Sequence, residues 1–154
     1  MKIVYCLVAS GICFFSSVAY SADHQVSDAS EGKVLSVKGQ AEVLKLGSDA
    51  WAALAVDAVL SEGDAVKTGA VAEVVIETTG KAKTAELLLR ADSEFRFQTL
   101  RHNADKDSAL LDLTAGSMVV RADEPGSSNA IFQVKTPTSL MTAQGAVFEV
   151  KVSQ

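Results

Sequence analysis

The chain has 154 residues, with 14 basic and 19 acidic side chains, a formal net charge of −5 and 6% aromatic residues. Because it has no basic cluster and few aromatic residues, nucleic acids and anionic membrane surfaces are excluded as expected partners. Its two cysteines, Cys6 and Cys13, both lie in the first apolar stretch. The rest of the chain therefore has no disulfide, thiolate metal site or cysteine nucleophile.

Residues 1–21 have the pattern of a secretory signal peptide. Lys2 is followed by the apolar run Ile3–Ala19 and by the small-x-small pattern Ala19-Tyr20-Ser21. The run is shorter than the roughly 20 residues of a membrane span, so cleavage after Ser21 or Ala22 is favoured over an uncleaved anchor. The sequence predicts an exported protein, periplasmic or secreted, with no stable membrane insertion after cleavage.

Two further units follow the signal peptide. Residues 22–31 are polar and are predicted to form a disordered leader. Residues 32–154 are predicted to form a single domain, in which apolar and polar residues alternate with a period of two. The nearest approach to helical spacing is the alanine-rich stretch Asp49–Leu60, and Ser48–Val56 is read as a helical turn or a loop.

Turn residues divide this domain into short strands. Two hairpins are predicted, one around Gly39 and one around Thr114–Gly116, and the turn Glu62–Asp64 joins two further strands. In the β-branched run after Val71, Val74 and Ile76 are predicted to share one face. The result is an all-β fold of roughly ten short, mainly antiparallel strands, in a two-sheet sandwich-like or short solenoid arrangement.

An ordered set of motifs in these strands and turns resembles the FecR-type domain. Each motif is a short turn or strand signature, and together they extend over nearly all of residues 32–152. They are Gly32–Val34, Trp51–Leu54, the Leu-x-x-Gly-Asp-x-Val-x-Thr-Gly run Leu60–Gly69, Ser93–Phe95, Leu113–Val120, Val134–Pro137 and Gly145–Val150.

The physical roles of these motif residues are structural. Gly63 is expected to adopt a positive φ, and Asp64 to bond the backbone two residues further on. Pro137 is expected at the start or edge of a strand, and Gly145 at a bulge or a close approach of two backbones. The motifs therefore describe a framework and not an active site.

The chain departs from the family pattern in two places, and the resemblance covers one module. Gln144-Gly145-Ala146 stands where the family usually has Arg-Gly-Thr, and Thr78–Ala85 replaces a shorter Asp-Gly-Ser turn. The resemblance implies a sensing or scaffolding module alone, without the anti-sigma segment and membrane span of the FecR regulators of iron uptake.

Residues suited to catalysis or metal binding form no complete set. His24 lies in the leader and His102 in the charged segment Arg101–Ser108, with no nucleophile motif to accompany either. The alternating oxygen ligands Asn103, Asp105 and Asp107 resemble a calcium loop, but its glycine and its bidentate glutamate are missing. We assign no catalytic, cofactor-binding or metal-binding residue and expect no cofactor.

Other polar and aromatic residues have structural interpretations as well. The carboxylate pairs Glu73 with Glu77 and Glu62 with Asp64 are interpreted as structural and not as a glycosidase pair. Glu73, Val75 and Glu77 alternate along a strand, as on a solvated sheet face. Trp51 is assigned to the core in preference to an exposed sugar-stacking platform.

The expected function is therefore binding. The chain is interpreted as a non-enzymatic, exported sensing or scaffolding module for a protein or cell-envelope component. The strand before Pro137 and the strand Ala146–Val152 are expected at sheet edges, where another chain can pair. The functional surface is expected in Ser48–Val56, Thr79–Ala85 and Arg101–Ser108. The alternatives are a carbohydrate- or peptidoglycan-binding module centred on Trp51, and a hydrolase of unrecognised type.

Overall fold

The structure, a computed structural model, describes residues 31–79, 83–103, 106–122, 131–143 and 147–152. These residues form twelve strands and no helix, so the all-β prediction is confirmed. No helix able to span a membrane occurs among them. The strands are β1 (Glu31–Lys38), β2 (Ala41–Leu44), β3 (Ala52–Ala53), β4 (Val59–Leu60), β5 (Ala65–Thr68), β6 (Glu73–Thr79), β7 (Lys83–Leu89), β8 (Glu94–Asn103), β9 (Lys106–Ala122), β10 (Ile131–Lys135), β11 (Leu140–Ala143) and β12 (Val147–Val152).

All twelve strands belong to one continuous sheet, which is held together by the 17-residue strand β9. One flank of β9 pairs with β8 and then β7, and the opposite flank pairs with β10 and then β12. Among the described strands only the β9–β10 pairing is parallel. The sheet curls through β9 into a half-barrel, and the two separate sheets of a sandwich are not confirmed.

The predicted hairpin around Thr114–Gly116 is wrong, because this segment is a bend within β9. Gly116 has φ +80°, and its backbone comes so close to Ser93 that a side chain could not fit. Ser93 Oγ donates to the carbonyl of Ser117 at 3.0 Å and accepts from its N–H at 2.9 Å. Glycine therefore turns the strand while β9 stays paired on both sides of the bend.

The predicted hairpin around Gly39 is also wrong, since β1 and β2 do not pair with each other. β1 pairs with β6, and β2 pairs with β5. The β1–β2 and β5–β6 connections both run from one half of the sheet to the other. They lie side by side, and the Gly69 N–H donates to the Gln40 carbonyl at 2.8 Å. The helix considered for Asp49–Leu60 is likewise absent, and β3 and β4 take its place.

The core lies between the two facing halves of the curled sheet. Val74 and Ile76 of β6 are fully buried, as their alternation predicts. A side chain at Gly32 of β1 would meet Phe97 of β8, which shows how closely the halves approach. Phe95 and Phe97 pack edge to face with ring centroids 4.9 Å apart. Burial of these large apolar side chains supplies the main driving force for closure of the sheet.

Candidate functional site

A groove opens on one flank of β9, at the point where the strand paired with that flank changes from β10 to β12. On that flank β10 pairs as far as Asp112, and β12 begins opposite Gly116. Between β10 and β12 no described strand pairs with residues 113–115 on this flank, whereas β8 pairs with Leu113 and Ala115 on the opposite flank. The groove has a volume of about 590 Å³ and is lined by Thr114, by the segment Thr136–Ser139 with Met141, and by Glu149–Val152. This volume lies in the range of small-ligand and peptide side-chain pockets.

One rim of the groove is the turn that joins β10 to β11. The buried Thr136 Oγ1 accepts a hydrogen bond from the Ser139 N–H at 3.0 Å, and the Thr136 N–H donates to the Ser139 carbonyl at 2.8 Å. Pro137 fixes the backbone between them. Pro137 therefore lies in a hairpin turn that follows a strand, and its expected place at a strand's start is wrong.

The other rim is β12, whose side chains alternate between the core and solvent. Val150 is 3% exposed, whereas Glu149 and Lys151 on either side of it are exposed. The Glu149 carboxylate lies 3.6 Å from Arg90 Nε. The groove thus has one rigid hydroxyl-bearing rim and one rim formed by a strand.

The chemistry of the lining is suited to holding a ligand. Thr114, Thr138 and Ser139 contribute hydroxyl groups, Met141 and Val152 contribute apolar surface, and Glu149 and Lys151 contribute one charge of each sign. Hydroxyl groups with adjacent apolar surface can bond the backbone of an extended chain and receive its side chains. Nowhere in the described part of the chain do three or more His, Cys, Asp or Glu side chains cluster as a metal site would require.

The Gly63-Asp64 motif lies outside the groove and fastens two chain segments together. Gly63 has φ +92°, as expected. Asp64 is buried, and its carboxylate accepts from the N–H groups of Leu46 and Ser61, each at 2.9 Å, and from Lys45 Nζ at 2.7 Å. The bonded backbone groups precede Asp64, so the expected bond two residues further on is wrong. Burial raises the pKa of Asp64, but the bonds from Lys45, Ser61 and Leu46 outweigh it and lower the pKa.

The remaining predicted carboxylates have separate partners. Glu73 accepts from Lys38 Nζ at 2.9 Å on the outer face of β6, and Glu77 lies on the same face. Glu62 accepts from the Leu100 N–H at 3.1 Å. These contacts stabilise the framework, and none of them points into the groove.

Trp51 is half-buried and does not belong to the core, contrary to its predicted assignment. Lys67 Nζ lies 4.3 Å from the centroid of its ring and also contacts the Glu42 carboxylate at 2.7 Å. A cation over the ring face is a favourable arrangement. It covers the surface that a sugar would use for stacking on that side.

Several predicted features lie outside what the structure describes. These are the signal peptide and most of the leader with His24, Gly145 of the closing motif, and the side chains of His102, Asn103, Asp105 and Asp107. The backbone of β8 and β9 does show that Arg101–Asn103 and Lys106–Ser108 are paired strand ends and not a free loop.

Most of the groove is not predictable from the sequence. The motifs include Pro137 and the strand of Glu149–Val152, but the predicted functional surface lies in three other segments, none of which contributes to the lining of the groove. One local sequence pattern does indicate part of the groove. The Thr136-x-x-Ser139 spacing after a strand predicts a turn that is closed by side-chain hydroxyl groups. The position of Thr114 had no local signal, because only the β9–β10 pairing brings it to this turn.

Comparison with known families identifies the chain. Residues 64–154, more than half of the sequence, match the family model described as FecR protein. The chain therefore belongs to the FecR family. The matched range includes every residue that lines the groove, while the motifs at Gly32 and Trp51 precede it. No curated protein and no solved structure matches the chain.

Proposed function

We propose that this FecR-family chain is a non-enzymatic, exported binding module that engages a protein or cell-envelope partner through the groove between the β10–β11 turn and β12. The observation that carries the proposal is the position of the groove within the family match. Its rims include Thr136 and Pro137 of the Val134–Pro137 motif and Glu149 and Val150 of the closing motif, so residues that resemble the family also frame the site.

An extended polypeptide fits this site best. The edge strand β12 offers backbone groups, and the turn Thr136–Ser139 offers a rim that is fixed by hydrogen bonds. Strand addition at an open edge draws its affinity from backbone bonds and its specificity from the pockets that receive alternate side chains. The groove provides both in one place. A sensing or scaffolding role follows from reversible occupancy of this site.

The half-buried position of Trp51 favours a second candidate, a carbohydrate-binding surface formed by Trp51 with Lys67 and Glu42. It is the weaker one, since a sugar stacked on the covered ring face must displace Lys67. The two candidates place the ligand in different parts of the sheet, because Trp51 directly precedes the end strand β3, whereas β10 and β12 branch from the central strand β9.

Site-specific photo-crosslinking in cells of the source organism separates the two. A photoreactive residue at the exposed groove position Thr138 is expected to capture a polypeptide, and Met141→Asp in the same chain is expected to reduce that capture severalfold. The matched control is the same photoreactive residue at the exposed Asp49, beside Trp51. Capture of a glycan from Asp49 and nothing from Thr138 would overturn the groove proposal in favour of the alternative. Equal capture from both positions would also contradict it.

A further inference from the structure

The outer edge of β12 is open among the described strands. Within the described ranges β12 pairs with β9 and with no other strand. The Ser117 carbonyl accepts from the Arg90 N–H on the β7 flank. Because backbone groups alternate along a strand, Met118 and Val120 face β12 instead, and they bond their partners Val150 and Phe148.

The same alternation settles which groups of β12 point away from the sheet. The backbone N–H and C=O groups of Val147, Glu149 and Lys151 face outward, toward the open edge. Their side chains lie on the solvent-exposed face, while Phe148 and Val152 pack against the core and Val150 is buried. Lys151 has no ion-pair partner among the described residues. The Glu149 carboxylate has one ion-pair contact within the described ranges, 3.6 Å to Arg90 Nε.

We propose that this edge pairs with the same edge of a second copy, so that two antiparallel β12 strands join two half-barrels about a twofold axis at Val150. Such an isologous contact requires the surface to be complementary to itself. In this register Glu149 of each copy lies opposite Lys151 of the other. Phe148 lies opposite Val152, and the two Val150 residues meet on the axis.

Charge selects this register over its neighbours. Outward backbone groups meet outward ones only when the twofold axis passes through a residue, because an axis midway between two residues sets each outward group opposite an inward one. Near the middle of β12 the possible axis positions are Glu149, Val150 and Lys151. An axis at Glu149 places two carboxylates opposite each other, and an axis at Lys151 places two ammonium groups together. Only the axis at Val150 forms two pairs of opposite charge, and opposite charges stabilise directly facing positions.

Charge reversal tests the inference with the full chain. Sedimentation velocity over a concentration series is expected to show a reversible wild-type dimer. Glu149→Lys and Lys151→Glu, each alone, are expected to raise the dimer dissociation constant at least about tenfold, because both charge pairs become repulsive. An equimolar mixture of the two variants restores opposite charges at every position. It is expected to associate to within about threefold of the wild type.

A backbone variant provides an independent control. Lys151→Pro removes an N–H that does not bond β9, so the fold is expected to survive while pairing with the second copy is lost. Lys151→Ala, which keeps that N–H, is expected to weaken the dimer less than Lys151→Pro. Thermal unfolding of each variant confirms that it is folded. A monomeric wild type at its highest soluble concentration, or a mixture of charge variants that stays monomeric, overturns the inference.

This inference goes beyond the proposed function. A second copy and a polypeptide partner compete for the same outward edge of β12, and the identity of the polypeptide captured from Thr138 separates the two. A monomeric wild type that still captures a different polypeptide from Thr138 removes the twofold contact and keeps the groove. A wild-type dimer from which Thr138 captures a second copy and no other polypeptide does the reverse.

Discussion

The buried carboxylate of Asp64 stabilises the first part of the domain through its hydrogen bonds. Its oxygens hold Leu46 and Ser61 through their backbone N–H groups and Lys45 through its ammonium, so they join the segment after β2 to the turn before β5. Hydrogen bonds to a charged, buried acceptor are stronger than those between neutral groups. The Gly-Asp pair of the family motif is therefore explained by stability and not by ligand binding.

Asp64→Asn is expected to reduce the free energy of unfolding by about 2–3 kcal/mol at neutral pH, since the amide cannot accept from all three donors. The measurement is urea unfolding. Because the folded pKa of Asp64 lies below its usual value of 3.8, its contribution is fully present above 3.8 and is lost as the pH falls from there through the lower folded pKa. The difference between wild type and variant is therefore expected to shrink in acid.

The control for this prediction is Glu73→Gln. A hydrogen bond and attraction from Lys38 also lower the pKa of Glu73, but the pair lies on the solvent-facing surface of β6 and is screened. We expect little change in stability. An Asp64→Asn deficit that stays constant down to low pH would show that the carboxylate charge is not what stabilises this turn.

At the scale of single elements, the bend in β9 determines where the groove lies. Gly116→Ala is expected to cost about 2–4 kcal/mol, because alanine is strained at φ +80° and its methyl group would overlap Ser93 and Asp92. Gly47→Ala is the matched control. Gly47 has φ +79° with nothing within 4 Å of the added carbon, so it reports the backbone strain alone, about 1 kcal/mol.

Thermal and urea unfolding of both variants give the comparison. Equal losses at Gly116 and Gly47 would mean that the close approach to Ser93 is not needed for the bend. A larger loss at Gly116 supports the view that β9 turns tightly against the β7–β8 connection.

The same element shows what the sequence can and cannot predict. Alternation correctly predicted the strands and buried faces, as at Val74 and Ile76, because the face of a strand is a local property. The glycines at 39 and 116 wrongly predict hairpin turns, because a positive φ serves a tight turn and a bent strand equally well. The choice between them depends on pairing with distant strands. Thr114 joins the groove for the same non-local reason.

At the scale of the whole molecule, the shared strand β9 makes the two halves of the sheet interdependent. β9 pairs with β8 and β10 in one half and with β7 and β12 in the other. The side chains of both halves also bury one common cluster, in which Leu87 of β7 and Phe97 of β8 both take part. Neither half can lose its packing without exposing the apolar surface of the other.

We therefore expect the domain to unfold as a single cooperative unit. Trp51, the only tryptophan of the chain, reports on the half that contains β2, β3 and β5, whereas circular dichroism reports on all strands. Leu87→Ala, in the other half, is expected to lose about 2–5 kcal/mol and to move both transitions together. Val43→Ala in β2 is the control and should also move both. If Trp51 fluorescence kept its wild-type midpoint in Leu87→Ala while the circular dichroism transition moved, the halves would unfold separately and β9 would not couple them.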